Sequence, residues 1–258
     1  MPKRVLITGA AGRIGRSLAR QLADRYDLRL QYHNTIPDEH RDAAARARET
    51  GRPVALADGR TEVFVGTTED LAAMERACDG VDAVVHLAGD PRVEAPWESI
   101  LANNVVGLHN TFEAARRAGT PKLVFASSNH ATGFYEKEGA YTTPEMPVRP
   151  DSDYGISKAF GEAVGRYYCD AFGMSVVCLR IGSFQARPRN VRHLSTWLSE
   201  RDCAQLVWRG IEADVPFAVV YGISGNTRAY WDLSSARVLL GYEPEDDAER
   251  YAEELLRA

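Results

Sequence analysis

Val5-Leu6-Ile7-Thr8-Gly9-Ala10-Ala11-Gly12-Arg13-Ile14-Gly15 is the stretch that decides the fold. Residues 4–8 have the aliphatic, β-branched character of a buried strand, and residues 14–24 carry helical periodicity. Between them stand three glycines in G-x-x-G-x-x-G spacing. Glycines there permit a tight turn and let backbone approach a pyrophosphate, whose charge meets the amide donors and positive dipole end of the helix N-terminus. A glycine triplet arises easily by chance, and the strand-turn-helix setting is what makes it a dinucleotide signal. Gly9, Gly12, Arg13, Ile14 and Gly15 are therefore candidate cofactor contacts. The alternative is a Gly-rich turn in a Rossmann-like fold that binds nothing.

Outward from this turn, β-branched runs alternate with amphipathic ones. Residues 28–32, 62–65, 83–87, 123–126 and 175–181 read as strands. Residues 68–77 read as a helix capped by Thr67 or Thr68, residues 96–118 as a long helix, and a further helix runs from Tyr154 through Tyr168. This alternation predicts an α/β, Rossmann-like, doubly wound parallel sheet with right-handed crossovers. After Ile181 the pattern loosens: a loop at 182–192, a helix at 196–213, a strand at 218–222, a helix at 234–240, and a final helix beyond Gly241-Tyr242-Glu243-Pro244. The expectation is a single domain, 1–258, with a dinucleotide-binding part at about 1–181 and a small substrate-covering cap at about 182–258.

With 45% hydrophobic and 26% charged residues the composition is that of a globular protein, and a formal charge of −5 offers no footprint for nucleic acid. The Arg-rich run 41–52 is interleaved with acids and alanines and reads as a solvated helix. No apolar run approaches the roughly 20 residues that span a bilayer, and the first strand begins too early to leave room for a signal peptide. Cys78, Cys169, Cys178 and Cys203 show neither metal-binding spacing nor a partner His cluster, so buried thiols, no metal and a cytoplasmic location are expected.

Tyr154-Gly155-Ile156-Ser157-Lys158 places a phenol and an ammonium on one helix face. The ammonium favours phenolate, and lowering a tyrosine from a pKa of about 10 to about 7 takes about 4 kcal/mol. A tyrosine tuned in this way takes a proton from an alcohol while hydride leaves the same carbon. An i,i+4 pair alone is commonly just a helix face; here a dinucleotide turn accompanies it. The second strand ends in Gln31-Tyr32-His33-Asn34, without the acid that holds both ribose hydroxyls in an NAD site. That leaves NAD or NADP open, with Tyr32 and His33 as candidate cofactor contacts and Arg13 and His33 placed to hold a 2′-phosphate, or Arg13 simply exposed at the helix start. Leu87, Ala88 and Gly89 bring small residues to the sheet edge, and Asn104 is either an anchor at that edge or a polar helix residue.

Together the glycine turn, Ala88-Gly89, Asn104, Ser128, Tyr154 and Lys158 resemble the extended short-chain dehydrogenase/reductase (NAD-dependent epimerase/dehydratase) family. The resemblance implies that Tyr154 is the catalytic acid/base, that Lys158 lowers its pKa and binds the nicotinamide ribose, and that Ser128 orients the substrate hydroxyl. The segments 125–130, 149–155, 160–162, 180–183, 192–199 and 230–232 look most like uronate dehydrogenases, which oxidise C1 of glucuronate or galacturonate to the aldarolactone. That likeness implies that Ser128, Asn129, His130 and Ser183 contact sugar hydroxyls and that Arg192 pairs with the C6 carboxylate. The segment around Pro91 and Arg92, with 220–224 and 241–244, looks more like archaeal-type glucose-6-phosphate dehydrogenases of the same lineage. There Arg92 beside Arg192 completes a phosphate clamp, or else Arg92 is an exposed rim residue.

The leading expectation is an NAD(P)-dependent hexuronate C1 dehydrogenase, with a hexose-phosphate dehydrogenase as runner-up. A nucleotide-sugar epimerase or dehydratase needs a larger C-terminal lobe, and a non-catalytic NAD(P) sensor commonly lacks the Tyr or Lys. The expected partner is a small anionic sugar, with no nucleic acid or membrane, and the resemblance implies a homodimer in which the long helices at 96–118 and 154–172 pair across a two-fold.

Overall fold

Val5, Leu6, Ile7 and Thr8 are all fully buried, because the strand they form is covered on both faces. In the computed structural model, which describes residues 2–257, this is β1 (Arg4–Thr8). The other strands are β2 (Asp27–Tyr32), β3 (Val54–Ala55), β4 (Thr61–Val65), β5 (Ala83–His86), β6 (Lys122–Ser128), β7 (Ser175–Ile181), β8 (Ser183–Phe184), β9 (Trp197–Leu198) and β10 (Phe217–Gly222). Among the described residues one sheet of eight strands runs β10-β7-β6-β5-β1-β2-β4-β3. Every pairing in it is parallel except that of the two-residue edge strand β3 with β4. Val5 and Ile7 pack into the core on one face, with Leu30, Val85 and Leu179; Leu6 packs on the other with Phe64, Phe112 and Phe125.

The chain order reverses between β1, whose next strand lies to one side, and β5 on the other side. The carboxyl ends of β1 and β5 therefore flank a crevice, where open α/β sheets bind ligands. The expected strands appear within a residue or two of their expected limits. The helix expected from 68 begins instead at Leu71, because Asp70 supplies the cap: its carboxylate accepts from Ala73 N at 3.1 Å. The helical stretch 97–117 is continuous but widens to a π-helix over Ile100–Val106. The Arg-rich run forms the helix Arg41–Thr50, which buries Ala43, Ala44 and Ala47 and leaves its arginines to solvent.

The expected division at residue 181 does not separate two layers of structure. β10 extends the main sheet beside β7, and the helix Glu200–Glu212 packs on that sheet. Its start is later than expected, since Ser199 caps it, accepting from Asp202 N at 3.0 Å. Trp197 and Leu198 just before that cap are extended as β9, paired with β8. The described thiols are free, three of them buried and Cys169 partly so. Among the described residues no helix is long and apolar enough to cross a membrane.

Candidate active site

The crevice opens into a cavity of about 600 Å³ that runs from the glycine turn to Arg192. At one end Gly9 has φ +65°, and a Cβ there would lie 2.9 Å from the Ala88 backbone. Gly15 lies deeper: a Cβ would stand 2.6 Å from the Gly9 carbonyl oxygen and 2.7 Å from Ala10 Cα. Gly12 precedes the helix Arg13–Gln21 and puts no capping side chain over its first amides. Those amides remain as donors facing the cavity, as a pyrophosphate needs. The turn is pinned by Gln31, whose Oε1 accepts from Gly9 N (2.9 Å) while its Nε2 donates to the Gly66 carbonyl (2.6 Å). Thr8 Oγ1 accepts from the amides of Leu87 and Ala88 at 3.1 and 3.2 Å and lies 2.9 Å from His86 Nδ1. Burial, with the Lys158 charge, pushes His86 down to about 3, so its ring is neutral.

These features fit a dinucleotide, and they make a prediction. Gly15→Ala sets a methyl against two backbone neighbours that have no rotamer to yield. The expected result is at least a roughly tenfold loss of affinity for reduced dinucleotide, about 1.4 kcal/mol, read by fluorescence titration. Undiminished binding would mean that the turn does not hold the cofactor.

The expected Ser128, Tyr154 and Lys158 group stands at the carboxyl end of β6. Ser152 caps the helix Asp153–Phe172 by accepting from Gly155 N at 3.0 Å. Gly155 packs against the His130 carbonyl with no space for a Cβ. This close approach brings Tyr154 to the loop after β6, with its ring 5.7 Å from that of His130, edge-on. His130 Nδ1 is 2.9 Å from Asp151 Oδ1, which fixes the imidazole. Lys158 is buried; its Nζ donates to the Ala126 carbonyl (2.7 Å) and lies 5.4 Å from the Tyr154 ring centroid. Burial lowers Lys158 to about 8, and burial raises Tyr154 above its ordinary value, opposed by a hydrogen bond with Ser128. In the free protein burial is the largest influence on the phenol, and the same burial pushes the neighbouring Lys158 toward its neutral form.

At the far end Arg192 lines the cavity, but it is not free. Its Nε and Nη2 donate to the two carboxylate oxygens of Glu136 at 2.5 and 2.9 Å, and Nη1 donates to Ser183 Oγ at 3.0 Å. Tyr230 Oη donates to the same carboxylate at 2.7 Å. Burial alone would raise Glu136; the Arg192 and Tyr230 hydrogen bonds bring it below its ordinary value. Asn129, with its amide oriented by its neighbours, donates to the Ile181 carbonyl (3.1 Å) and accepts from Arg192 Nη2 (3.3 Å).

The cavity wall brings together Gly9, Gly12, Arg13, Ile14, Gly15, Tyr32, His33, Leu87, Ala88 and Gly89 with Pro91, Ser128, Asn129, His130, Tyr154, Lys158, Ser183 and Arg192. Two expected residues lie outside it. Arg92 is turned to solvent and held by Asp90 through Nε (3.0 Å) and Nη2 (2.5 Å), so it forms no clamp with Arg192. Asn104 acts from behind: its Oδ1 accepts from Asp90 N (2.6 Å), and its Nδ2 donates to the Asp90 carbonyl (3.0 Å) and Ser157 Oγ (3.1 Å). It shapes the backbone after Gly89. Tyr32 contributes to the wall while its phenol oxygen is 2.8 Å from His40 Nδ1.

Three positions were missed. Gln31 carried no motif, being noted only as a place where an acid was lacking. Glu136 and Tyr230 lie 56 and 38 positions from Arg192 by subtraction, outside any local pattern. A buried network also stands under the site: Glu162 accepts from Ser127 Oγ (2.6 Å) and bidentately from Arg180 (2.9 and 2.9 Å).

The profile of the NAD dependent epimerase/dehydratase family matches residues 5–209, and the chain belongs to that family. It is 41% identical to the NAD-dependent glucose-6-phosphate dehydrogenase of Haloferax volcanii over 266 aligned residues, covering 97% of this chain and 96% of that one. It is 40% identical to the uronate dehydrogenase of Pseudomonas syringae pv. tomato, covering 95% of this chain and 83% of that one. Among solved structures, a mutant uronate dehydrogenase from Agrobacterium tumefaciens complexed with NAD superposes with a TM-score of 0.85 at 37% identity, covering 100% of this chain and 90% of that one.

Proposed function

We propose that the chain is an NAD(P)-dependent sugar dehydrogenase that oxidises C1 of a hexuronate, glucuronate or galacturonate, to the aldarolactone. One observation carries the choice of substrate: Arg192, Ser183 and Asn129 are hydrogen-bonded together at the end of the cavity opposite the glycine turn. One Nη1 hydrogen of that guanidinium is uncommitted and suits a carboxylate oxygen.

The glycine turn and the open helix N-terminus hold the dinucleotide, with Lys158 beside its ribose. When bound, the nicotinamide supplies the two-electron acceptor. Ser128 holds the anomeric hydroxyl, and Tyr154, having first given its own phenolic proton to solvent, takes the hydroxyl proton as the phenolate while the C1–H bond breaks. Charge balances: the sugar gives up one hydride and one proton, and the Tyr154 phenolate takes the proton and returns it to solvent. Lys158 opposes phenol protonation, and His130, fixed by Asp151, closes one side of the phenol. Asn129 and Ser183 orient sugar hydroxyls while Arg192 takes the C6 carboxylate.

A glucose 6-phosphate activity remains the second reading, favoured by the near-equal lengths of this chain and the Haloferax relative. The outward Arg92 argues against it, since a phosphate dianion is then left with one guanidinium that Glu136 already pairs. Initial rates with glucuronate, galacturonate and glucose 6-phosphate, each with NAD and NADP, test both readings. Turnover of both uronates is expected; none on either uronate sinks the proposal. No carboxylate stands among the lining residues at the end of β2, so NADP turnover within about a hundredfold of NAD is expected. Arg13→Ala then lowers kcat/KM for NADP and leaves that for NAD; equal loss with both would exclude a 2′-phosphate contact. We infer a dimer through the face of 97–117 and Asp153–Phe172, where Tyr167 and Phe172 stand exposed; a monomer by light scattering would refute it.

A further inference from the structure

Arg192 has five N–H donors. Nε and one Nη2 hydrogen go to Glu136, the second Nη2 hydrogen to Asn129, and Nη1 to Ser183. Glu136 does not line the cavity; it sits behind the guanidinium, half-buried, and Tyr230 holds it there. The pair carries no net charge, and the one uncommitted Nη1 hydrogen is a directed donor for a ligand. A lone guanidinium in the same place would attract any anion. A charge-cancelled one attracts a carboxylate only through hydrogen-bond geometry, and offers the same bonds to a neutral hydroxyl.

We infer that Glu136 is a positioning residue that sets substrate selectivity. It cancels the charge of Arg192, so that the sugar end of the cavity admits the neutral aldose beside the anionic sugar. The inference rests on the reading of Arg192 as the contact to the substituent at C6. It extends the substrate class to aldoses whose C6 is a hydroxymethyl group, glucose being the neutral counterpart of glucuronate.

The test is the ratio of kcat/KM for glucuronate to that for glucose in the wild type, E136Q, E136A and Y230F. Removing the carboxylate restores a net positive charge beside the C6 group, and the ratio is expected to rise about tenfold in E136Q and E136A, equivalent to 1.4 kcal/mol. Y230F loosens Glu136 without removing its charge and is expected to hold the ratio within about twofold of wild type. A purely structural role would depress both substrates and leave the ratio where it was. An unchanged or lowered ratio in the two Glu136 variants therefore overturns the inference, as does an equal rise in Y230F. E136A serves alone if E136Q does not fold. The same ratio taken from calorimetric binding needs no turnover, so it is read even if the wild type oxidises no uronate and the proposed activity fails.

Discussion

Tyr154→Phe is expected to lower kcat for sugar oxidation by about 10³-fold, within the range set by removal of a general acid/base group, while affinity for reduced dinucleotide stays within about threefold. The ring still fills its place against His130, and only the proton acceptor is lost. Stopped-flow turnover with a parallel fluorescence titration reads both quantities. An active variant would hand the proton to another group and defeat the mechanism. The state of the phenol before the cofactor binds is separately testable. Burial favours the neutral form of each buried group, which raises Tyr154 and lowers Lys158 to about 8. In the ultraviolet difference titration of wild type minus Tyr154→Phe, tyrosinate absorbance is expected only above pH about 10, the ordinary tyrosine value. Its appearance below pH about 8 would mean that Lys158 already controls the phenol in the free protein.

Arg192→Ala is expected to reduce kcat/KM for a hexuronate by about 10²-fold, as losing the hydrogen bonds of a half-buried charged group does. Two losses combine. The C6 carboxylate loses its guanidinium edge, and Glu136 keeps Tyr230 but loses its charged partner. Arg192→Lys restores the charge without the planar fork, and less than about a tenth of the lost activity is expected to return. Full recovery with lysine would show that charge alone, not geometry, binds the substrate. Thermal melts of both variants separate lost recognition from lost stability.

Much of the site was readable because it is local. The glycine spacing before a helix, the i,i+4 relation of Tyr154 and Lys158, and Ser128 at the end of a strand are each contained within one element and its boundary. Periodicity and turn chemistry act over a few residues, and those rules located these groups without any knowledge of the far side of the molecule. The resemblance to uronate dehydrogenases carried Asn129, His130, Ser183 and Arg192, all of which line the cavity. Of the two readings left open for Arg92, the structure supports the exposed rim residue, since its partner Asp90 is two positions away. Asp90 can reach it only by turning the loop outward, and Ser99 Oγ, donating to Asp90 at 2.6 Å, holds that turn.

The sequence by itself determined the parallel sheet, the dinucleotide turn and the pairing of phenol with ammonium, because hydrophobic period and glycine spacing are properties of short segments. Only the tertiary structure decided that Gln31 pins the turn, that β10 completes the main sheet, that burial raises the phenol, and that Glu136 stands behind Arg192. Each of those depends on groups distant in the chain, the last across 56 positions. Desolvation and ion pairing are set by what packs together in space, and no local pattern records it.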